Sequence, residues 1–383
     1  MKISKALMLN RIALIEQLNA VTQGLFLDIS PEIEIARRAW QEIINDPTFV
    51  YKIRQISTPW LVPDWYQGIG EVIKVSDDLR SYTVLAVDGS QIYPDRHSGT
   101  SCFLINTGSV LLEYGKSSGQ PVTLYSRPHV FTGDEREYDG AQATEMVNCK
   151  RQEFELQIGL EQSIAAKKKV GEQPFAFLFD GSLIFWHLES KEGNLKELFL
   201  NKYLGQLDQL YKEKILCAGY ISLPKSKELV NLVRVQLCNF KIEGCKELEA
   251  VNHLVDSSIA RFYLQEHERT IVFKSNATIG KLYPPHLMPH FFYMDVGQEI
   301  VRIEIPAWIA QDETHLDIIS RIVLDQSIKG RGYPVALAEA HEQAVIKGPD
   351  RDFFYHLIGK LAIERKRQQF YSQKSMKKRG IGI

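Results

Sequence analysis

The sequence predicts an α/β chain: a mixed sheet flanked by helices, with a helical N-terminal arm and further helices at the C-terminal end. Three observations carry that expectation. First, Tyr82-Thr-Val-Leu-Ala-Val and Phe175-Ala-Phe-Leu-Phe are short apolar runs rich in β-formers, the mark of buried strands. Second, each run ends in Asp-Gly-Ser, a turn signal that stops a strand. Third, such runs alternate with long helical patterns, which places helices against a sheet. The chain has 383 residues, 44% hydrophobic and 24% charged, so it can bury a sizeable core and is not an intrinsically disordered polymer.

Taken in order, residues 3–24 and 31–47 read as two helices, with Ser30 and Pro31 as N-cap and first-turn residue of the second. Pro59, Pro63 and Trp65 mark an irregular linker. After the strand 82–88, residues 100–107 and 109–115 read as a hairpin joined at Gly108. A polar loop with Gly133, Asp134 and Gly140 leads into a helix over 141–168. The strand 175–180, a helix near 192–213, the strand 215–222 and a helix from about 225 follow. The stretch 250–310 is mixed, with strand-like runs at 270–274, 290–296 and 299–305. Helices over 312–328, 336–346 and 351–373 close the chain, punctuated by Gly330, Gly332 and Pro334.

Several classes are excluded or disfavoured. Cys102, Cys149, Cys217, Cys238 and Cys245 form no CxxC pair, against a zinc ribbon or thioredoxin-type motif. They read as thiols in a reducing cytoplasm. The N-terminal MKISKALMLNRIALIEQLNA carries Arg11 and Glu16 at helical spacing, so it reads as an amphipathic helix and not a signal peptide. No apolar run is long enough to span a bilayer, so no membrane partner is expected. A phosphate-binding P-loop, GxGxxG and HExxH are absent. His286 and His290, among prolines and aromatics, read as part of a structural loop.

The strongest local signal is the matched pair Asp88-Gly-Ser and Asp180-Gly-Ser. Ligands of α/β sheets bind outside the carboxyl ends of strands. Two carboxylates converging there suit a divalent cation, which takes oxygen ligands and relieves their repulsion. Either turn alone is also an ordinary strand end. A third carboxylate is sought on the helix 141–168, which offers Glu145, Glu153, Glu155 and Glu161. On a helical wheel Glu153 falls within the apolar arc, whereas Glu155 falls outside it beside Arg151 and Gln162. A carboxylate on a buried face needs a partner or a metal, so Glu153 is favoured as a ligand and Glu155 is kept. The run Gly330-Arg-Gly-Tyr333-Pro-Val-Ala-Leu-Ala-Glu-Ala-His341 opens a helix at Pro334 and sets His341 about two turns in.

On Ala86-Val-Asp-Gly-Ser90, Arg151-Gln-Glu-Phe-Glu155, Phe179-Asp-Gly-Ser-Leu183 and Gly332-Tyr-Pro-Val-Ala-Leu-Ala-Glu-Ala-His341, the chain resembles the NurA nuclease family over about 82–357. The resemblance implies an RNase H-like core, a homodimer, and Mn²⁺-dependent cutting of DNA, with Mg²⁺ as an alternative and a two-metal site. It also implies 5′–3′ exonuclease and single-strand endonuclease activities in recombination repair, alongside a HerA-type hexameric ATPase. Asp88, Asp180, Glu153 or Glu155, Tyr333 and His341 match the family's site positions. Asp88, Glu153, Asp180 and His341 are the expected metal ligands. The domain reading is a helical arm and linker over 1–80, a nuclease domain over 81–357 and a basic tail over 358–383. Two rivals remain from the residues: a non-catalytic DNA clamp for a motor ATPase, and a metal-dependent phosphohydrolase, which Ser90 weakens by replacing a second aspartate.

Charge is divided along the chain. With 46 basic and 47 acidic residues the total is −1. The segment 360–383 holds eight Lys and Arg against Glu364, or 8 − 1 = +7, leaving −8 for the rest. Such a tail suits a phosphate backbone or an acidic partner surface, and suits a solubilising role as well.

Overall fold

The structure is a computed structural model that describes residues 9–25, 28–94, 102–115, 122–132, 140–191 and 194–365. Its strands are β1 (Val72–Lys74), β2 (Tyr82–Ile92), β3 (Cys102–Tyr114), β4 (Val122–Thr132), β5 (Phe175–Asp180), β6 (Leu216–Ile221), β7 (Glu268–Thr270), β8 (Phe273–Lys274), β9 (Pro289–Asp295) and β10 (Ile300–Pro306). Its helices are α1 (Arg11–Leu25), α2 (Ser30–Asn45), α3 (Phe49–Gln55), α4 (Gly140–Val170), α5 (Trp186–Glu189), α6 (Asn194–Lys212), α7 (Glu228–Leu237), α8 (Asp256–Ala260), α9 (Ala307–Ala310), α10 (Glu313–Lys329), α11 (Val335–Ala344) and α12 (Gly348–Glu364).

All ten strands join one mixed sheet in the order β1-β7-β9-β10-β6-β5-β2-β3-β4, with β8 also paired to β9. The β2–β5 and β5–β6 pairs are parallel and the others antiparallel. The path β4-β3-β2-β5-β6, an antiparallel meander followed by two parallel steps, is the RNase H-like arrangement. The parallel strands are buried along most of their length, as strands covered by helices must be, and open only towards their C-terminal ends. Phe177 on β5 is fully buried, and Gly159 of α4 stands so close that a Cβ there would fall 1.8 Å from its ring. That contact brings α4 down onto the sheet. A second apolar cluster joins Trp40 and Ile43 of α2 and Phe49 of α3 to α7, β8 and β9. No helix among the described residues is long and apolar enough to cross a membrane.

Several local expectations are corrected. Gly108 is not a hairpin turn: β3 runs straight through it, pairing it with Asp88 on one side and Ser126 on the other. It is glycine because α11 lies on it. A Cβ there would meet the backbone of Ala340 and Ala344 at 2.4 and 2.3 Å. The hairpin partner is β4, an edge strand whose mostly exposed residues give little apolar pattern to read. Ser30 is not the cap of α2. It is the first helical residue, and its N–H donates to Asp28 Oδ1 at 2.9 Å. Cys238 and Cys245 are not separate thiols but a disulfide. Asn239 and Phe240 take positive φ just after α7, and the reversal brings the two Cα atoms to 5.8 Å. The loop at Gly133 and Asp134, the first eight residues and the part of the basic tail beyond Arg365 lie outside the described residues.

Candidate active site

The pairing of β2 with β5 determines where the two aspartates stand. The parallel ladder runs from Thr83 opposite Phe175 to Val87 opposite Phe179. One step further, the same register sets Asp88 abreast of Asp180. Neighbouring strands are about 4.8 Å apart, so the two carboxylates stand side by side where β5 ends, while β2 continues along β3 to Ile92. Gly181 then turns the chain with φ +132°, a conformation glycine adopts without strain. Gly89 serves differently: a Cβ there would fall 2.6 Å from Glu155 Oε1 and 2.8 Å from Arg151 Cγ. Its lack of a side chain lets α4 lay two charged groups against β2 beside Asp88.

Glu155 is the helix carboxylate that reaches the aspartates. Its side chain is 14% exposed and Arg151 Nη1 donates to it at 2.8 Å. Burial, then the like charges of Asp88 and Asp180, lift its pKa to about 8, against the pull of Arg151. Asp180 stands at the exposed end of β5 but is crowded by surrounding atoms. That desolvation and the neighbouring Asp88 raise its pKa, while a hydrogen bond from Tyr333 works the other way. Tyr333 packs edge-on against Tyr220, and its own pKa is raised by burial and by Asp180. His341, on the second turn of α11, places Nδ1 2.8 Å from Asp88 Oδ2 and leaves its ring 59% exposed. Asp88 as acceptor makes Nδ1 the protonated nitrogen and turns the free lone pair to Nε2.

Glu153 lies elsewhere. It is 7% exposed and bound by Lys150 at 2.9 Å and by Lys202 of α6 at 3.1 Å. The wheel favours it because α4 is buried on two sides, against α6 and against the sheet, and the apolar arc does not separate them. Two lysines answer its charge, so its burial needs no cation. Glu145 pairs with Lys191 and Glu161 accepts from Gln157 at 2.9 Å, so neither reaches the aspartates. His286 bonds Asp208 at 2.8 Å and His290 lies within β9, in keeping with structural roles.

Sequence reasoning gave Arg151 as a neighbour on the wheel and as the first residue of a matched motif, with no role of its own. In the fold its Nη1 also donates to the Gly89 carbonyl at 3.0 Å and lies 3.9 Å from Asp88 Oδ1. Glu304 went unnoticed. It accepts from Ser182 Oγ at 2.6 Å and from Leu183 N at 2.8 Å, holding the turn that follows Asp180. Its signal was available: Arg302 and Glu304 are charges at alternate positions of an otherwise apolar strand.

Among the described residues no three His, Cys, Asp or Glu side chains are gathered closely enough to hold a metal ion as they stand. The donor chemistry nonetheless fits a divalent cation. Asp88, Glu155 and Asp180 are hard oxygen donors near enough to act on one another's charge, two of them with raised pKa, and Arg151 is the Lys or Arg paired with them among the described residues.

A family model, described as the NurA domain, matches residues 82–346, which is more than half of the chain. No curated protein matches it. The chain is similar to a crystal structure of NurA, at 12% identity, covering 91% of this chain and 97% of that one with a TM-score of 0.41. It is similar to NurA bound to dAMP and manganese, at 14% identity, 89% and 94% coverage and a TM-score of 0.32. It is also similar to the catalytic domain of human Endonuclease V, at 13% identity, 74% and 85% coverage and a TM-score of 0.33. The matched segment begins at Tyr82, the first residue of β2, and extends past His341, so it contains every group placed around Asp88. This chain belongs to the NurA domain family.

Proposed function

We propose that the chain is a metal-dependent DNA nuclease that hydrolyses phosphodiester bonds at Asp88, Glu155, Asp180 and His341. Family membership supports a DNA nuclease. One observation on this chain's own residues carries the site: three carboxylates crowd together where β5 ends, and Glu155 among them has its pKa raised to about 8 by burial and by the charges of its two neighbours. Crowding of that kind suits a centre built to receive a cation.

Asp88, Glu155 and Asp180 would hold the metal, with Arg151 giving way as their counter-ion. Bound there, Mn²⁺ or Mg²⁺ would supply Lewis-acid stabilisation of charge on the phosphate and a more acidic water. The chain's own groups do the rest. His341, fixed by Asp88 through Nδ1, presents Nε2 to accept a proton from the attacking water. Tyr333, whose hydroxyl donates to Asp180 as the site stands, would turn that one proton to a phosphate oxygen once a cation engages Asp180. The finer expectations belong to the same proposal: 5′–3′ exonuclease and single-strand endonuclease action in recombination repair, Mn²⁺ preference, a two-metal site, a homodimer, and work alongside a HerA-type ATPase.

The Arg151 ion pair favours one alternative, a DNA clamp that binds without cutting, because it already neutralises part of the centre. One assay separates the two. Labelled single-stranded DNA is incubated with the protein in Mn²⁺, with and without EDTA, and with Asp88→Ala. Cutting that EDTA and Asp88→Ala both abolish is the expected result. Binding with no chelator-sensitive cutting would leave the clamp.

A further inference from the structure

A cavity of about 530 Å³ opens beside the candidate centre, and its wall includes Gly181 and Ser182, the two residues directly after Asp180. We infer that it seats one unpaired nucleoside of the DNA strand, next to the phosphate that is cut. The inference rests on the nuclease reading and adds where the substrate is held and why an unpaired strand is taken.

Four features point to that occupant. The volume lies in the range of small-ligand sites, about 300–1,000 Å³, and apolar groups with a few placed polar ones form the lining. Trp186 lines it with 38% of its surface exposed, which offers an indole face for a base. Lys225 and Lys227 line it as well and suit the flanking phosphates. Arg302, only 2% exposed, donates to Glu304, Glu228 and Tyr293, yet its Nη2 has no acceptor among the described residues. A buried N–H without an acceptor is costly, and every base carries carbonyl oxygens or ring nitrogens that can accept.

The cavity and the centre are one mechanical unit. Glu304, held by Arg302 at 2.8 Å, grips Ser182 and Leu183 in the turn that carries Asp180. A nucleoside against Arg302 and Trp186 therefore registers its phosphate to Asp180. A base enclosed there cannot keep its pairing partner, so a strand end or single-stranded segment is required.

The test uses the full chain and a labelled single-stranded oligonucleotide in chelator, read by fluorescence anisotropy. A set of oligonucleotides each carries one abasic position. The wild type is expected to lose about tenfold in affinity at one position and little at the others. Trp186→Ala should lose about tenfold on the intact strand and show no further loss at that position, and Trp186→Phe should restore most of it. A flat abasic scan with wild-type binding and cutting intact would overturn the cavity assignment alone. Equal weakening of every oligonucleotide by Trp186→Ala, with the position dependence unchanged, would overturn it too. Absence of any strand binding would instead bring down the nuclease reading beneath it.

Discussion

Two charge clusters in this molecule each set one guanidinium among three carboxylates, and they have opposite character. Around Arg302, the carboxylates Glu228, Glu304 and Asp256 are all but fully buried. Asp256 accepts from the N–H groups of Glu228, Leu229 and Val230 at 2.8–2.9 Å and from the Tyr293 hydroxyl at 2.8 Å. It thereby caps α7. Glu304 is filled by Arg302, Ser182 and Leu183. Around Arg151, Asp88, Glu155 and Asp180 share a single guanidinium and a few donors, at the rim of the sheet instead of within it. The lesson is that burial of carboxylates is not a sign of function; burial short of donors is. A saturated cluster builds the fold, and an under-supplied one has capacity for a ligand.

The largest expected difference between them is in activity. Asp88→Ala should reduce Mn²⁺-dependent cutting by at least about a hundredfold, since a metal site supplies several kcal/mol to such reactions. Its far-ultraviolet dichroism and melting temperature should stay close to wild type. In the other cluster, Arg302→Ala should cost about 3–5 kcal/mol of stability, because it leaves buried carboxylates uncompensated. Denaturant unfolding measures it. A melt no lower than that of Asp88→Ala would break the comparison.

The next effect is in pH. Glu155 binds its proton in the fold up to about pH 8, whereas the unfolded chain releases it near the ordinary glutamate value of 4.5. A carboxyl raised in this way stabilises the fold at low pH, and that contribution is lost as pH rises through the folded value. Melting temperature of metal-free protein should therefore fall between about pH 5 and pH 8. Glu155→Gln, which cannot ionise, should flatten that slope. The smallest effect belongs to Glu153→Gln. Its lysine partners are part-exposed and can turn to water, so a stability loss of about 1 kcal/mol and near-normal cutting are expected.

Much of this was legible before the fold. Two apolar runs before Asp-Gly-Ser identify two strands, and Pro334 marks the start of the helix that carries His341; β5 does end at Asp180, but β2 runs on through Asp88-Gly-Ser to Ile92, because its pairing with β3 continues there. What the sequence could not supply is register. Whether Asp88 stands abreast of Asp180 depends on a ladder between segments some ninety residues apart, which no local pattern encodes. The choice between Glu153 and Glu155 failed for a related reason. A wheel measures how apolar a face is but not what covers it, and α4 is covered twice. Gly108 misled because close approach and a turn ask for the same residue. The edge strand β4 was missed because half-solvated strands lack the apolar run that buried ones have.

The account's central claim is that Glu155, and not the more deeply buried Glu153, completes the centre with Asp88 and Asp180. Cutting of labelled single-stranded DNA in Mn²⁺ by Glu155→Gln and Glu153→Gln, side by side at equal folded concentration, tests it directly. The account predicts a loss of about a hundredfold or more for Glu155→Gln and a change within about twofold for Glu153→Gln. Equal losses, or the reverse order, would contradict it.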